Sequence, residues 1–348
     1  MNNFFKGKKV FVTGHTGFKG SYLSYILLML GAEVKGYSLD PPTKTNLYDL
    51  LQLKGKMHSV IADITDVDRL TKEVTDFRPD LVFHLAAQPL VLDGYRFPRL
   101  TYETNVMGTV NILESIRNCD SVRSFLNVTT DKVYNNFEWE WGYRETDPLD
   151  GYDPYSNSKS CSELVTHSYK KSFFDNSDTA ISTARAGNVI GGGDFADNRI
   201  IPDCIRAVIA KKPIIVRNPN SIRPYQHVLE PLSAYLKIIE AQAKDSSLAG
   251  SYNVGPQEGD CVTTGTLVKA FCDCWGGATW ECTEKDGPHE ANFLKLDCSL
   301  IRSKLGWAPK WNYLTAIEKT VEWAKIWSEG HDVRECVEQQ IKSYFDNE

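Results

Sequence analysis

Along the first half of the chain, short apolar runs alternate with longer stretches whose apolar positions recur every three or four residues. The runs at 9–13 (KVFVT), 33–38, 59–62, 80–85 (DLVFHL), 123–129 and 179–185 (TAISTAR) predict strands. The stretches at 20–30, 67–76, 102–118 and 155–174 predict helices. Strands apolar on both faces, separated by helices, imply a parallel sheet covered on both sides. The expected fold class is α/β, a doubly wound parallel sheet. Beyond about residue 188 the pattern becomes irregular, with Gly191, Gly192, Gly193 and several prolines. This predicts a smaller mixed α/β C-terminal domain, so the chain divides into 1–187 and 188–348. A helix at 232–243, within a stretch at 220–245, is expected to return to the first domain, and another at 313–329 precedes a polar tail. No internal repeat is visible.

A glycine turn joins the first strand to the first helix. Gly14, His15, Thr16, Gly17, Phe18, Lys19 and Gly20 have the spacing G-x-x-G-x-x-G. Glycines let the backbone turn tightly and approach a pyrophosphate, which the helix N-terminus then meets with its free N–H groups. Asp40 closes the second strand, where a carboxylate binds ribose hydroxyls and repels a 2′-phosphate, so NAD is favoured over NADP. Asp63 and Ile64 close the third strand and are placed to frame the adenine.

Charge and composition narrow the remaining choices. The 348 residues are 42% hydrophobic and 24% charged, with a net charge of −6. That field repels nucleic acid and anionic membranes, and an anionic substrate must be held by a few local cations. No apolar run approaches the roughly 18 residues of a membrane span, and the N-terminal MNNFFKGKK lacks a signal-peptide core. A cytoplasmic location is expected. Nine cysteines, an odd count without zinc-site spacing, predict reduced structural thiols and no metal site.

Tyr155 and Lys159 stand four residues apart on one face of a predicted helix. A neighbouring ammonium favours phenolate, so Tyr155 is expected to serve as a base that takes a hydroxyl proton during hydride transfer. Thr129, Thr130, Asp131 and Lys132 follow an apolar strand at the carboxyl edge where open α/β sheets bind ligands.

These residues resemble the extended short-chain dehydrogenase/reductases. The shared segments are Gly14 to Gly20, the HLAA run with Leu85, Ala86 and Ala87, the NVMGT run that begins at Asn105, and the Tyr155/Lys159 couple. Within them the chain is most similar to the CDP-D-glucose 4,6-dehydratase family, through 10–21 (VFVTGHTGFKGS), 84–91 (HLAAQPLV), 130–134 (TDKVY) and 151–159 (GYDPYSNSK). The likeness continues through 184–195 (ARAGNVIGGGDF), 217–232 (RNPNSIRPYQHVLEPL) and 294–299 (LKLDCS), so it spans nearly the whole chain. The resemblance implies a seven-stranded sheet that binds NAD and a C-terminal part that binds the nucleotide sugar. It implies oxidation at C4 by Tyr155 with Lys159 and Thr130, loss of water across C5–C6 with Asp131 as acid, and return of hydride to C6. Lys132 stands where dTDP-glucose dehydratases carry a glutamate base; it either takes the C5 proton or pairs with Asp131. A homodimer, formed through helices at 102–118 and 155–173, and a role in deoxysugars of bacterial surface glycans are also implied.

By the same resemblance Asn188, Arg199, Arg217, Arg223 and His289 contact the sugar nucleotide. Each arginine also has an ordinary reading as an ion pair, and Trp139 and Trp141 of the EWEWGY stretch either stack on a ligand or pack. The family's V-R-x-S-Y run is Val91, Leu92, Asp93, Gly94 and Tyr95 here, which leaves the hexose open. Two other readings stand beside dehydration: a nucleotide-sugar 4-epimerase or decarboxylase that uses the same couple, and a silent NAD-binding scaffold.

Overall fold

A computed structural model describes residues 3–282 and 293–346. Seven parallel strands form the main sheet: β1 (Lys9–Thr13), β2 (Glu33–Ser38), β3 (His58–Ile61), β4 (Leu81–His84), β5 (Ser124–Val128), β6 (Ala180–Ala186) and β7 (Ser251–Val254). Their spatial order is β7-β6-β5-β4-β1-β2-β3. The order reverses beside β1, between β2 and β4, and that crevice is where a doubly wound sheet binds its ligand.

The side-chain period of two divides each strand between two cores. Val10, Val12, Leu81, Phe83 and Leu126 face one layer with helix α1 (Phe18–Met29). Phe11, Val82 and Phe125 face the other with α2 (Val67–Phe77) and α3 (Gly108–Arg117). This double burial is why β1 and β4 read as short, nearly continuous apolar runs.

The structure departs from the expected helices at two places. The segment predicted as one helix over 102–118 is Pro98–Tyr102, then a wider π turn over Glu103–Met107, then α3. The helix predicted at 155 starts one residue earlier as α4 (Pro154–Tyr169) and ends in a π turn over Lys170–Phe174. Asp153 caps α4, accepting from the backbone N–H of Tyr155 and Ser156 at 2.9 and 3.1 Å, with Pro154 at the first helical position. Such a cap contributes about 1 kcal/mol to the helix that carries Tyr155.

Chain beyond residue 188 also joins the main sheet. Helix α5 (Leu229–Lys244) packs on β5 and β6, where the Gln242 amide donates to the Ser124 hydroxyl at 2.7 Å and the Phe125 carbonyl at 2.9 Å. β7 then adds the last strand, which the apolar pattern did not predict. The remaining strands are short pairs: Val189–Ile190 with Gln226–His227, Ile222–Pro224 with Cys261–Thr263, and Ile214–Val216 with Trp280–Cys282. No helix among the described residues is long and apolar enough to cross a membrane.

Candidate active site

The glycine turn is built for close approach. Gly14 has φ +76°, and a β-carbon there would lie 2.8 Å from the Ala86 nitrogen. A β-carbon on Gly20 would meet the Gly14 carbonyl oxygen at 2.0 Å, so the first turn of α1 lies directly on the loop. Gly17 forms the N-terminal cap of α1 without a side-chain hydrogen bond, which leaves the helix N–H groups to an anion. Thr16 fastens this loop to the end of β2, its hydroxyl donating to the Leu39 carbonyl at 2.8 Å. Asp40 follows and is exposed. The Asp63 carboxylate accepts from the Thr65 N–H at 2.9 Å, and the Ile64 carbonyl accepts from the Asn111 amide at 3.0 Å, so both are fixed in the β3 turn. These groups fit a dinucleotide: an open helix N-terminus, a crowded glycine loop and an acid beyond the second strand.

Replacing Gly20 by alanine forces backbone against backbone. Strain of about 1–3 kcal/mol corresponds to roughly 5- to 150-fold weaker dinucleotide binding, and titration calorimetry with NAD⁺ against the parent protein measures it.

The wall opposite the glycine turn is a hydrogen-bonded strap. The Thr13 hydroxyl accepts from the Leu85 and Ala86 N–H groups, each at 3.1 Å, and bonds His84 Nδ1 at 2.8 Å. Ala87 follows in the same strand-end loop. Burial, followed by the Lys159 charge, holds His84 down at about 3, so its ring is neutral. Asn105 sits in the π turn, buried, with every side-chain polar atom engaged. Its oxygen accepts from the Gln88 N–H at 2.8 Å, and its amide donates to the Gln88 carbonyl at 3.1 Å and the Ser158 hydroxyl at 2.9 Å. It therefore clamps this loop to α4, and the π turn is what aims it inward.

The candidate catalytic groups converge at the end of β5. The Thr130 hydroxyl lies beside the Tyr155 phenol, whose pKa it lowers, and donates to Asp131 Oδ1 at 3.0 Å. Asp131 is 1% exposed, and its Oδ2 has no hydrogen-bond partner. Burial raises its pKa, against the charges of Lys132 and Arg223. Lys159 is buried and donates to the Val128 carbonyl at 3.1 Å. Lys19, beside this cluster, lies with its ammonium 5.8 Å over the Tyr235 ring and is pushed down to about 7 by burial and by Lys159 and Arg199. The phenol corrects an expectation: burial drives Tyr155 up to about 12, and Lys159 is not among the charges that offset this. Desolvation outweighs the ammonium.

The sugar-binding candidates separate. Arg223 is buried and its charge reaches Asp131, while Arg199 is held by Asp194 at 3.0 Å and its charge acts on Tyr155 and Lys19. Asn188 lies at the start of the second part, its carbonyl accepting from the Gln226 N–H at 3.0 Å. Arg217 is exposed and acts on Asp203 instead. His289 lies outside the described residues. Trp139 stacks on Tyr143 at 5.0 Å and Tyr143 on Tyr134 at 5.1 Å, whereas Trp141 is 63% exposed. Gly94, in the helix Val91–Arg96, lies on Tyr155, and a β-carbon there would stand 3.1 Å from the Tyr155 nitrogen. The divergent segment thus packs on α4 with no side chain between.

Sequence reasoning missed Asp153, although Asp-Pro ahead of a helix signals it. It also missed Glu163 and Arg185, which form a buried ion pair at 2.9 Å beside Thr129.

A Rossmann sheet with this glycine turn and a buried Thr-Asp pair against a Tyr-x-x-x-Lys helix defines the extended short-chain dehydrogenase/reductase class. The model of the GDP-mannose 4,6 dehydratase family matches residues 11–320. The chain is 46% identical, over 99% of its length and 98% of the relative's, to a CDP-glucose 4,6-dehydratase of Salmonella typhimurium. It is 28% identical to a probable dTDP-glucose 4,6-dehydratase of Sinorhizobium fredii, covering 90% and 92%. Among solved structures, a UDP-glucose-4-epimerase from Stenotrophomonas maltophila with bound NAD superposes with TM-score 0.82 at 20% identity, covering 93% and 99%. A dTDP-glucose 4,6-dehydratase from Streptomyces venezuelae gives TM-score 0.80 at 21% identity, with the same coverage. The two structures share the fold. The chain belongs to the GDP-mannose 4,6 dehydratase family, the nucleotide-sugar dehydratase branch of that class.

Proposed function

We propose that this chain converts CDP-D-glucose to CDP-4-keto-6-deoxy-D-glucose and water. The observation that carries dehydration is the buried Asp131 carboxyl, raised in pKa and with one oxygen unbonded, next to Thr130 and Tyr155. CDP-glucose as substrate is supported by the 46% identical relative.

The glycine turn with Asp40, Asp63 and Ile64 would hold NAD⁺, which would supply the hydride acceptor for C4 and the hydride donor for C6. Tyr155 takes the C4 hydroxyl proton, with Thr130 orienting its oxygen and Lys159 supplying positive charge. The C4 ketone acidifies C5–H, and Lys132, in its neutral form, is assigned that proton and its return to C5 when hydride reaches C6. Asp131 gives its proton to the C6 hydroxyl, which leaves as water. Arg223, Arg199 and Asn188 face the sugar nucleotide. The NAD site belongs to the sheet domain and the sugar nucleotide to the part beyond 188. Nine free cysteines, five of them buried, support work in the reducing cytoplasm.

Incubation with NAD⁺ and CDP-, dTDP-, UDP- and GDP-hexoses, read by mass spectrometry, tests this reading. Loss of one water from CDP-glucose supports it. Loss from another sugar nucleotide keeps the reaction and changes the substrate, and an unchanged mass with an inverted centre makes the chain an epimerase.

A homodimer is part of the same reading. Leu100, Met107, Leu164 and Phe173 are 51, 49, 55 and 50% exposed on the packed helical segments 98–107 and 154–174. Large apolar side chains so grouped mark an interface. Light scattering should give twice the chain mass, and Leu164→Arg should give a monomer at micromolar concentration. A monodisperse parent monomer excludes the dimer.

A further inference from the structure

Glu163 lies one helical turn beyond Lys159, and the reaction above leaves it without a role. It is 2% exposed, and both its carboxylate oxygens are engaged. Oε1 accepts from the Thr129 hydroxyl at 2.5 Å, and Oε2 from the Thr183 hydroxyl at 2.8 Å and Arg185 Nη2 at 2.9 Å. Arg185 is buried on β6, and its Nη1 donates to the Tyr134 hydroxyl at 2.8 Å and the Glu145 carbonyl at 3.0 Å. Taking two charges out of water is costly, and apolar side chains of the same volume would hold helix to sheet as well. A buried carboxylate here therefore calls for an electrostatic reason.

That reason stands four residues earlier on the same helix face. The groups around the Lys159 ammonium are unequal. The Val128 carbonyl at the end of β5 accepts from it, and His84 at the end of β4 is a neutral ring. Lys19 on α1 repels it, and Tyr155 on its own helix is a neutral phenol until it reacts. Asp131, beyond β5, is pushed by burial towards its neutral form, as is the Glu145 carboxyl on the far side of Arg185. Burial drives Lys159 down to about 8, and the charge that opposes this is Glu163. The same carboxylate is bonded to Thr129, the residue directly before Thr130, and to Thr183 on β6.

We propose that Glu163 is the counter-charge of Lys159 and a positioning residue for the Tyr155 oxidation. It keeps the ammonium charged at working pH and fixes the helix carrying Tyr155 to the strand end carrying Thr130 and Asp131. The inference rests on the Tyr155 oxidation proposed above.

Glu163→Gln keeps size and an acceptor for Thr129 but removes the charge. The pair Glu163→Gln with Arg185→Gln removes both charges, so that no guanidinium is stranded should the single variant fail to fold. Charge on Lys159 is read without cofactor or substrate, from the pH dependence of its acetylation by acetic anhydride, followed by peptide mass spectrometry. The midpoint should fall by roughly one pH unit in the single variant and by less in the double one. The alkaline limb of kcat/KM should move down with it. Glu163→Asp, which retains the charge, should return both towards the parent. A purely structural Glu163 would lower thermal stability and the height of the profile but leave the Lys159 midpoint where it is, and that result overturns the proposal. If the parent dehydrates no nucleotide sugar, the proposed reaction fails while the acetylation midpoint still judges the Glu163–Lys159 coupling.

Discussion

Tyr155→Phe should reduce dehydration by roughly 10³-fold, within the range that a positioned proton acceptor contributes. The substitution deletes one oxygen from a side chain, beside Thr130, that burial has already driven to a high pKa. Helix α4 keeps its Asp153 cap and its Lys159 anchor on Val128, so neither fold nor glycine turn is disturbed. NAD⁺ affinity should therefore stay within a few-fold of the parent while no reduced nicotinamide forms on adding substrate, as followed by absorbance. Because the phenol must lose its proton, the parent's rate should rise with pH until Lys159 loses its charge, with the alkaline fall near the value of about 8 to which burial brings that lysine. Near-normal turnover in the phenylalanine variant would remove Tyr155 from its role.

How much of this was legible in the sequence depends on the range of the forces involved. Strands β1 and β4 were legible because burial on both faces leaves short, nearly continuous apolar runs, and β5 and β6 because each carries apolar residues between helical stretches. The glycine turn was legible because steric exclusion at Gly14 and Gly20 admits one residue type, and Tyr155 and Lys159 because the helical period sets their spacing. β7 was not: its four residues include Asn253, a polar group made acceptable inside by Tyr134, Tyr143 and Asp297, which lie far away in sequence. The π turn at 103–107 was hidden for a similar reason. Its purpose is to aim Asn105 at Gln88 and Ser158, and those partners meet only in the fold.

Electrostatics were the least legible part. A sequence shows that Lys159 neighbours Tyr155, but it does not show how much water the fold removes from the phenol, and that larger effect reverses the direction of the shift. The arginines divide on the same ground. Arg199 and Arg217 look alike in sequence, yet one is held by Asp194 facing the reacting groups and the other lies in solvent. Charge type was readable, whereas burial and partner were not.

Asp131→Asn separates the two halves of the reaction. The amide oxygen can still accept from the Thr130 hydroxyl, as Oδ1 does at 3.0 Å, so the arrangement that orients Tyr155 is retained. What disappears is the acid proton assigned above to this carboxyl, whose Oδ2 is buried and has no hydrogen-bond partner. Oxidation at C4 should proceed and elimination should slow by about 10²-fold or more. Absorbance of reduced nicotinamide should then rise and persist after mixing with CDP-glucose, whereas the parent should show only a brief rise. The amide leaves a buried N–H in place of that oxygen, which costs about 1–3 kcal/mol of stability and is checked separately by thermal unfolding. In the parent, burial raises the Asp131 pKa above the ordinary carboxylate value, so its acid form survives at higher pH and is lost as pH climbs through the raised pKa. Elimination should therefore weaken on the alkaline side in the parent, and the asparagine variant should lose that pH dependence. Fast dehydration by the variant, with no build-up of reduced nicotinamide, would assign the acid to another group.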